Sequence, residues 1–225
     1  MKKISVITIV VVLFLYAGCQ YGGFVGIMGT PGYHEQEVPA EYDLTKHTDQ
    51  KVLVLVDQPA WLAAQANLRY HLTRAMNKDL VAKIGIKADH LFSYGELSTF
   101  RSGQPDFSLL SPVEVGKALN ADMVLLVSIE NYQLQQMADT GYYIGLLSVQ
   151  SVLIETATGE KLWPKSAESG NIKVGFDAEH RGQEVAMARL VVACAYCTTR
   201  YLYDCPKKKF KIIEDKKRID WESWE

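Results

Sequence analysis

No histidine spacing in this chain suits a catalytic metal: His34, His47, His71, His90 and His180 form neither a His-Glu-x-x-His nor a His-x-His pattern. A Gly-x-Ser-x-Gly elbow is missing, and so is a phosphate-cradling glycine loop ahead of a lysine. Carboxylates such as Glu96, Glu114 and Asp122 are scattered. These absences leave an enzyme only as an alternative, with a site assembled by the fold and unmarked in sequence. No cofactor and no metal are expected. Neither sign of charge dominates: 24 Lys and Arg face 26 Asp and Glu, a formal net charge of −2. Such a balance argues against nucleic acid as a partner. Cysteine is scarce, with 4 in 225 residues. No apolar run reaches the roughly 20 residues that a spanning helix needs.

The longest apolar run stands at the start. Lys2 and Lys3 precede Ile4 to Tyr16, and Ala17-Gly18-Cys19 follow, the layout of a secretory signal. Tyr16 occupies the place where ordinary cleavage wants a small residue. A cysteine after two small residues resembles the bacterial lipobox, in which that cysteine is acylated and becomes the new amino terminus. Leu15 stands one place earlier than the lipobox leucine, and Tyr16 departs from that pattern. Cys19 is therefore the expected lipid-attachment residue, with residues 1–18 removed. Several acyl chains on one cysteine hold stably where one holds only marginally. The mature chain keeps 22 basic against 26 acidic residues, because Lys2 and Lys3 leave with the signal.

Residues 19–50 read as a lipidated tether, rich in glycine with Pro31 and Pro39, although the apolar stretch Val38 to Leu44 could dock. The domain is expected over residues 51–205. "KVLVLVD" opens it as a buried strand, and Trp61 to Met76 carries apolar residues at helical spacing. Val81 to Ala88 reads as a second strand, weakened by Gly85. Ser111-Pro112-x-Glu114 has the form of a capping box with proline at the first helical position. Met123 to Leu134 and Tyr142 to Thr156 read as long strands joined within Ala138 to Gly141. A turn at Thr158-Gly159 then leads to a short strand that Pro164 ends. Ser169 to Phe176 can return along the sheet, and Gln183 to Tyr203 reads as a long helix. The fold class expected is α+β, a mixed sheet in order β-α-β-α-β-β-β-α with helices packed mainly on one face.

"VLVLVD … LRYHLTRAMN", "EVGKALNADMVLLVSIENYQL" and "VQSVLIETATGEKLWP" resemble bacterial envelope lipoproteins whose domain is similar to the amino-terminal domain of TolB. Curli-secretion lipoproteins and lipoprotein activators of penicillin-binding proteins share that shape, and the phrasing is similar to lipoproteins of planctomycete-like bacteria. The recurring helix end corresponds to Ala118 to Asp122, with Asn120 where glycine is commoner. The recurring turn corresponds to Glu155 to Glu160, with Glu155 where aspartate is commoner. The resemblance covers roughly residues 51–203 and implies fold more than function. Read as residues, Asp122 satisfies free backbone donors at a tight crossing, and Gly159 supplies positive φ to a turn.

Cys194-Ala195-Tyr196-Cys197 lies inside a helix rather than at its amino end, so buried small hydrophobes are the favoured reading. A disulfide between Cys205 and Cys194 or Cys197 is the next, and redox or metal chemistry the last. Residues 206–225 form a charged tail in which Lys207, Lys208, Lys209 and Lys211 are offset by Glu214, Asp215 and Asp220. The expected protein is a cell-envelope lipoprotein facing the periplasm from the outer membrane. Its partners are the bilayer, through the acylated amino end, and an envelope protein recognised without turnover. A homo-oligomeric secretion or assembly subunit is the first alternative.

Overall fold

The computed structural model describes residues 37–63, 66–138, 141–179 and 182–206. The signal run, Cys19, the tether up to Gln36, two residues of the turn after Ala138 and the tail from Lys207 lie outside the described residues.

Strand β1 (Glu37–Val38) pairs with β7 (Cys205–Pro206) in a small antiparallel ribbon. The main sheet is built on β2 (Val52–Asp57), β3 (Met123–Met137) and β4 (Tyr142–Glu155). β2 and β3 run parallel, from Val52 opposite Met123 to Asp57 opposite Ser128. β3 and β4 form an antiparallel hairpin from Met123 opposite Glu155 to Met137 opposite Tyr142, with a bulge between Ile129 and Asn131. Two strands share the other side of β4: β5 (Lys161–Trp163) beside Leu153, and β6 (Asn171–Glu179) beside residues 143–150. One parallel pair among antiparallel ones makes the sheet mixed, in an α+β fold.

β2 is buried on both faces, which is why its sequence is a continuous apolar run instead of an alternation. Val52, Val54 and Val56 face the larger core, where helix α2 (Leu68–Asp79) brings Leu68, Leu72 and Met76, and helix α6 (Gln183–Thr199) brings Leu190, Val191 and Cys194. The short α1 (Ala60–Ala63) links β2 to α2. Leu53 and Leu55 face a smaller core closed by Leu97 of α3 (Tyr94–Gly103) and Val115 of α4 (Pro112–Leu119). The two long helices thus share one face, and two shorter ones cover the β2 end of the other. A one-turn helix, α5 (Ala167–Gly170), leads into β6.

Three elements differ from the sequence expectation. Leu80 to Ile84 form a π-helical turn, not a strand: Gly85 stops it at φ 86°, and the N–H groups of Gly85 and Ile86 both donate to Leu80 O. That left-handed glycine closes the helix end, and Leu80, Ile84 and Ile86 are buried by the turn. The helix expected from Trp61 restarts at Asn67, whose side chain accepts from Tyr70 N. Trp61 is consequently 59% exposed. The tether expected up to Gln50 ends sooner, because residues 39–50 are folded onto the domain. Leu44 begins a short 3-10 helix (Leu44–His47) and is fully buried, while Glu41 N and Leu44 N donate to Tyr201 O and Leu202 O.

Candidate functional site

The two motif segments meet at one end of the sheet. Asp122 Oδ2 accepts from Lys51 N at 2.7 Å, and Asp122 O accepts from Thr156 N at 2.9 Å. Thr158 Oγ1 donates to Glu155 Oε2 at 2.6 Å, and Gly159 takes φ 76° to close the turn. Between these segments opens a shallow cleft of about 380 Å³ lined by Gln50, Lys117, Asn120, Asp122, Glu155 and Thr156. Its two carboxylates are engaged in the crossing and the turn, which are structural tasks. Gly116 of α4 sits so close to the sheet that a Cβ there would stand 2.6 Å from Val124 Cγ2.

Ser111 and Glu114 form a complete capping box: Ser111 Oγ accepts from Glu114 N, and Glu114 Oε2 accepts from Ser111 N at 2.7 Å. The backbone and hydroxyl of Ser111 hold the Glu114 carboxyl below the usual carboxylate range. Cys194, Cys197 and Cys205 are thiols, and all three are buried. The disulfide alternative is thus not the arrangement here. Burial pushes the Cys194 thiol far above its ordinary value, the reverse of an activated nucleophile. Cys205 Sγ donates to Tyr203 Oη at 3.1 Å and lies 3.1 Å from Tyr196 Oη. Among the described residues no group of three or more His, Cys, Asp or Glu is placed to hold a metal ion.

The least covered surface lies at the far end of the hairpin. The β2 ladder stops at Ser128 while β3 continues to Met137. Among the described residues no strand pairs with the outer side of Ile129–Met137. From Ile129 to Gln136 the outer side of β3, roughly 26 Å long, presents backbone donors and acceptors that no described strand takes up. Proteins blunt such edges with charge, proline or a bulge. Here Glu130 and the bulge guard only its beginning, and "NYQLQQM" from Asn131 to Met137 has neither charge nor proline. On the sheet face away from the long helices, Gln135 pairs with Ile144 and Met137 with Tyr142. Ile144 is 45% exposed, and Met137 and Tyr142 42% each.

A second feature lies where β2 leaves the sheet. Gln58 is buried and ties α2 to the strand end: its Oε1 accepts from Arg69 N and its Nε2 donates to Ala66 O. Arg69 Nη2 donates to Gln58 O at 2.8 Å. Arg101, from α3 on the opposite face, lies over the Phe107 ring at 4.6 Å. Helix α3 carries its own signature, Ser93-x-x-Glu96, a capping box formed as at Ser111.

No protein-family model matches the chain, and no curated protein matches it. Among solved structures it is similar to lipoprotein GNA1162 from Neisseria meningitidis, with 16% identity over 64% of this chain and 94% of that one, at a TM-score of 0.41. The PelC dodecamer from Paraburkholderia phytofirmans has 12% identity over 75% of this chain and 96% of that one, at 0.39. The LpoB C-terminal domain from Salmonella enterica has 17% identity over 68% of this chain and 91% of that one, at 0.30.

Proposed function

We propose that this chain is a lipid-anchored cell-envelope protein whose domain recognises a partner protein, without turnover, through the outer half of the β3–β4 hairpin. The open edge at Ile129–Gln136 carries the reading: an extended partner segment can add to it as a further strand, gaining backbone hydrogen bonds. The exposed Tyr142, Ile144 and Met137 beside it supply the apolar contact that edge pairing alone lacks. The engaged carboxylates of the cleft favour recognition over catalysis.

The anchor rests on the amino-terminal run and on Cys19. Among the described residues no helix is long and apolar enough to cross a membrane. Labelled palmitate should enter the wild type, and Cys19→Ala should move the protein from membrane to soluble fractions. Palmitate absent from the wild type removes the anchor from the reading.

A photoreactive residue at Gln135 should capture one discrete partner in intact cells. Ile144→Glu should abolish that capture while leaving the melting temperature nearly unchanged, since surface substitutions usually shift stability by no more than about 0.5 kcal/mol. Capture equally strong from a distant control position such as Lys161 defeats the edge reading. Capture of a second copy of this chain would favour the assembly-subunit alternative.

A further inference from the structure

The described fold is entered and left at one place. β1 pairs antiparallel with β7, Glu37 opposite Pro206 and Val38 opposite Cys205. Residues opposed in this way stand about 5 Å apart. Gln36, where the tether meets the domain, and Lys207, where the tail starts, each lie one residue along the chain from that pair. The ribbon is fixed to the domain: Cys205 is fully buried against Tyr196 and Tyr203, and Ala40 N donates to Asp204 Oδ1 at 3.0 Å. It belongs to the strap end of the sheet, because Tyr201 O accepts from Glu41 N and the Tyr201 ring stacks on Trp163, opposite Leu153. From Leu153 to Tyr142, β4 runs away from it toward the hairpin tip, roughly 37 Å.

Charge is segregated along the mature chain. Residues 207–218, "KKKFKIIEDKKR", hold seven Lys or Arg and two acids. Residues 19–206 hold 15 Lys or Arg against 21 Asp or Glu. The remaining acids of the tail, Asp220, Glu222 and Glu225, come after the basic stretch, and Phe210, Ile212 and Ile213 are set among its cations. Cations clustered beside a membrane anchor, with large apolar residues between them, suit an anionic lipid surface, to which each adds about fivefold in affinity.

We propose that residues 207–218 lie on the anionic phospholipid headgroups of the membrane that holds acylated Cys19. The β1–β7 pairing then keeps the strap end of the domain against the bilayer and the open edge of β3 away from it. This rests on the anchor of the reading above and adds a second, electrostatic contact with lipid. The acyl chains attach the protein, and the cations orient it.

The full acylated chain, reconstituted in vesicles of phosphatidylethanolamine with or without phosphatidylglycerol, tests it. The cysteines of the described fold are buried, so a fluorescent label can be directed to Ile212→Cys or, as a control at the open edge, to Gln135→Cys. A lipid carrying a quencher on its headgroup reports which label lies on the bilayer. The label at 212 should be quenched several-fold more when phosphatidylglycerol is present. At about 1 M salt, where charges are screened within about 3 Å, that difference should vanish. The label at 135 should be quenched in neither vesicle. Lys208→Gln should shift the bound tail toward the free one about fivefold, and Lys211→Gln added to it by as much again.

Flotation with vesicles of phosphatidylethanolamine alone reports the acyl anchor separately. A chain that floats only when phosphatidylglycerol is present overturns the anchor and upholds the tail contact. Equal quenching at 212 in both vesicles, or quenching that the lysine changes do not move, overturns the proposal. Quenching at 135 as strong as at 212 overturns the orientation, and the proposal with it.

Discussion

A chain shortened to begin at Lys51 should lose its cooperative melting transition, whereas one beginning at Glu37 should keep it. Sequence pattern places the start of the domain at Lys51, so the two cuts test where folding begins. Between them lies Leu44, fully buried in the larger core. Truncating a buried leucine to alanine costs about 2–5 kcal/mol. The same segment closes the carboxyl-terminal strap: Glu41 N and Tyr42 N donate to Tyr201 O, Leu44 N donates to Leu202 O, and Ala40 N donates to Asp204 Oδ1. Glu41 Oε2 also accepts from Lys165 N at 3.1 Å and from Ser169 Oγ at 2.8 Å. Each hydrogen bond contributes about 1 kcal/mol net, and donors left buried without partners cost more. Removing residues 37–50 together therefore costs a sum comparable to the whole stability of a domain, about 5–15 kcal/mol. Leu44→Ala alone should lower the urea midpoint by a clear margin without changing the slope of the transition. Equal melting of the two truncated chains would put the domain boundary back at Lys51.

What the sequence disclosed depends on the range of the interaction. The apolar run of β2, the capping box of α4 and the two arms of the hairpin each leave a mark within a few residues of sequence, legible as runs, caps and turns even though the strands pair with distant partners. Val81 to Ala88 misleads because Ile84-Gly85-Ile86 has the composition of a strand, whereas Gly85 ends a helix in the left-handed region. The cue was the glycine after Leu80 to Ile84, a helix-stop sign as much as a strand weakness. The docking of residues 39–50 could not be read, because their partners lie more than 150 residues further on, at Tyr201 and Leu202. The open edge became evident only from strand lengths, since nothing in "IENYQLQQM" announces that β2 ends at Asp57.

Trp163→Ala should be the most damaging single truncation in the domain, costing about 3–5 kcal/mol. Trp163 is the largest fully buried side chain among the described residues. It stands on β5 opposite Leu153 and stacks on Tyr201 with centroids 5.9 Å apart. Its ring thereby joins the sheet to the strap that also receives residues 39–50, so a cavity here loosens two attachments at once. Trp163→Phe separates packing from polarity. The indole Nε1 is buried with no acceptor among the described residues. Phenylalanine loses contact area but also removes that unsatisfied donor, whose burial costs about 1–3 kcal/mol. The Phe variant should accordingly fall much nearer to wild type than to Ala in chemical denaturation. If Phe is as damaging as Ala, an unseen water or group satisfies the indole and polarity matters more than volume. Trp163 belongs to the strap end of the sheet, and the open edge lies toward the hairpin tip. Trp163→Phe should therefore lower the melting temperature and leave capture from Gln135 intact, while Ile144→Glu should do the reverse. That double dissociation would tie stability to one end of the β3–β4 hairpin and recognition to the other.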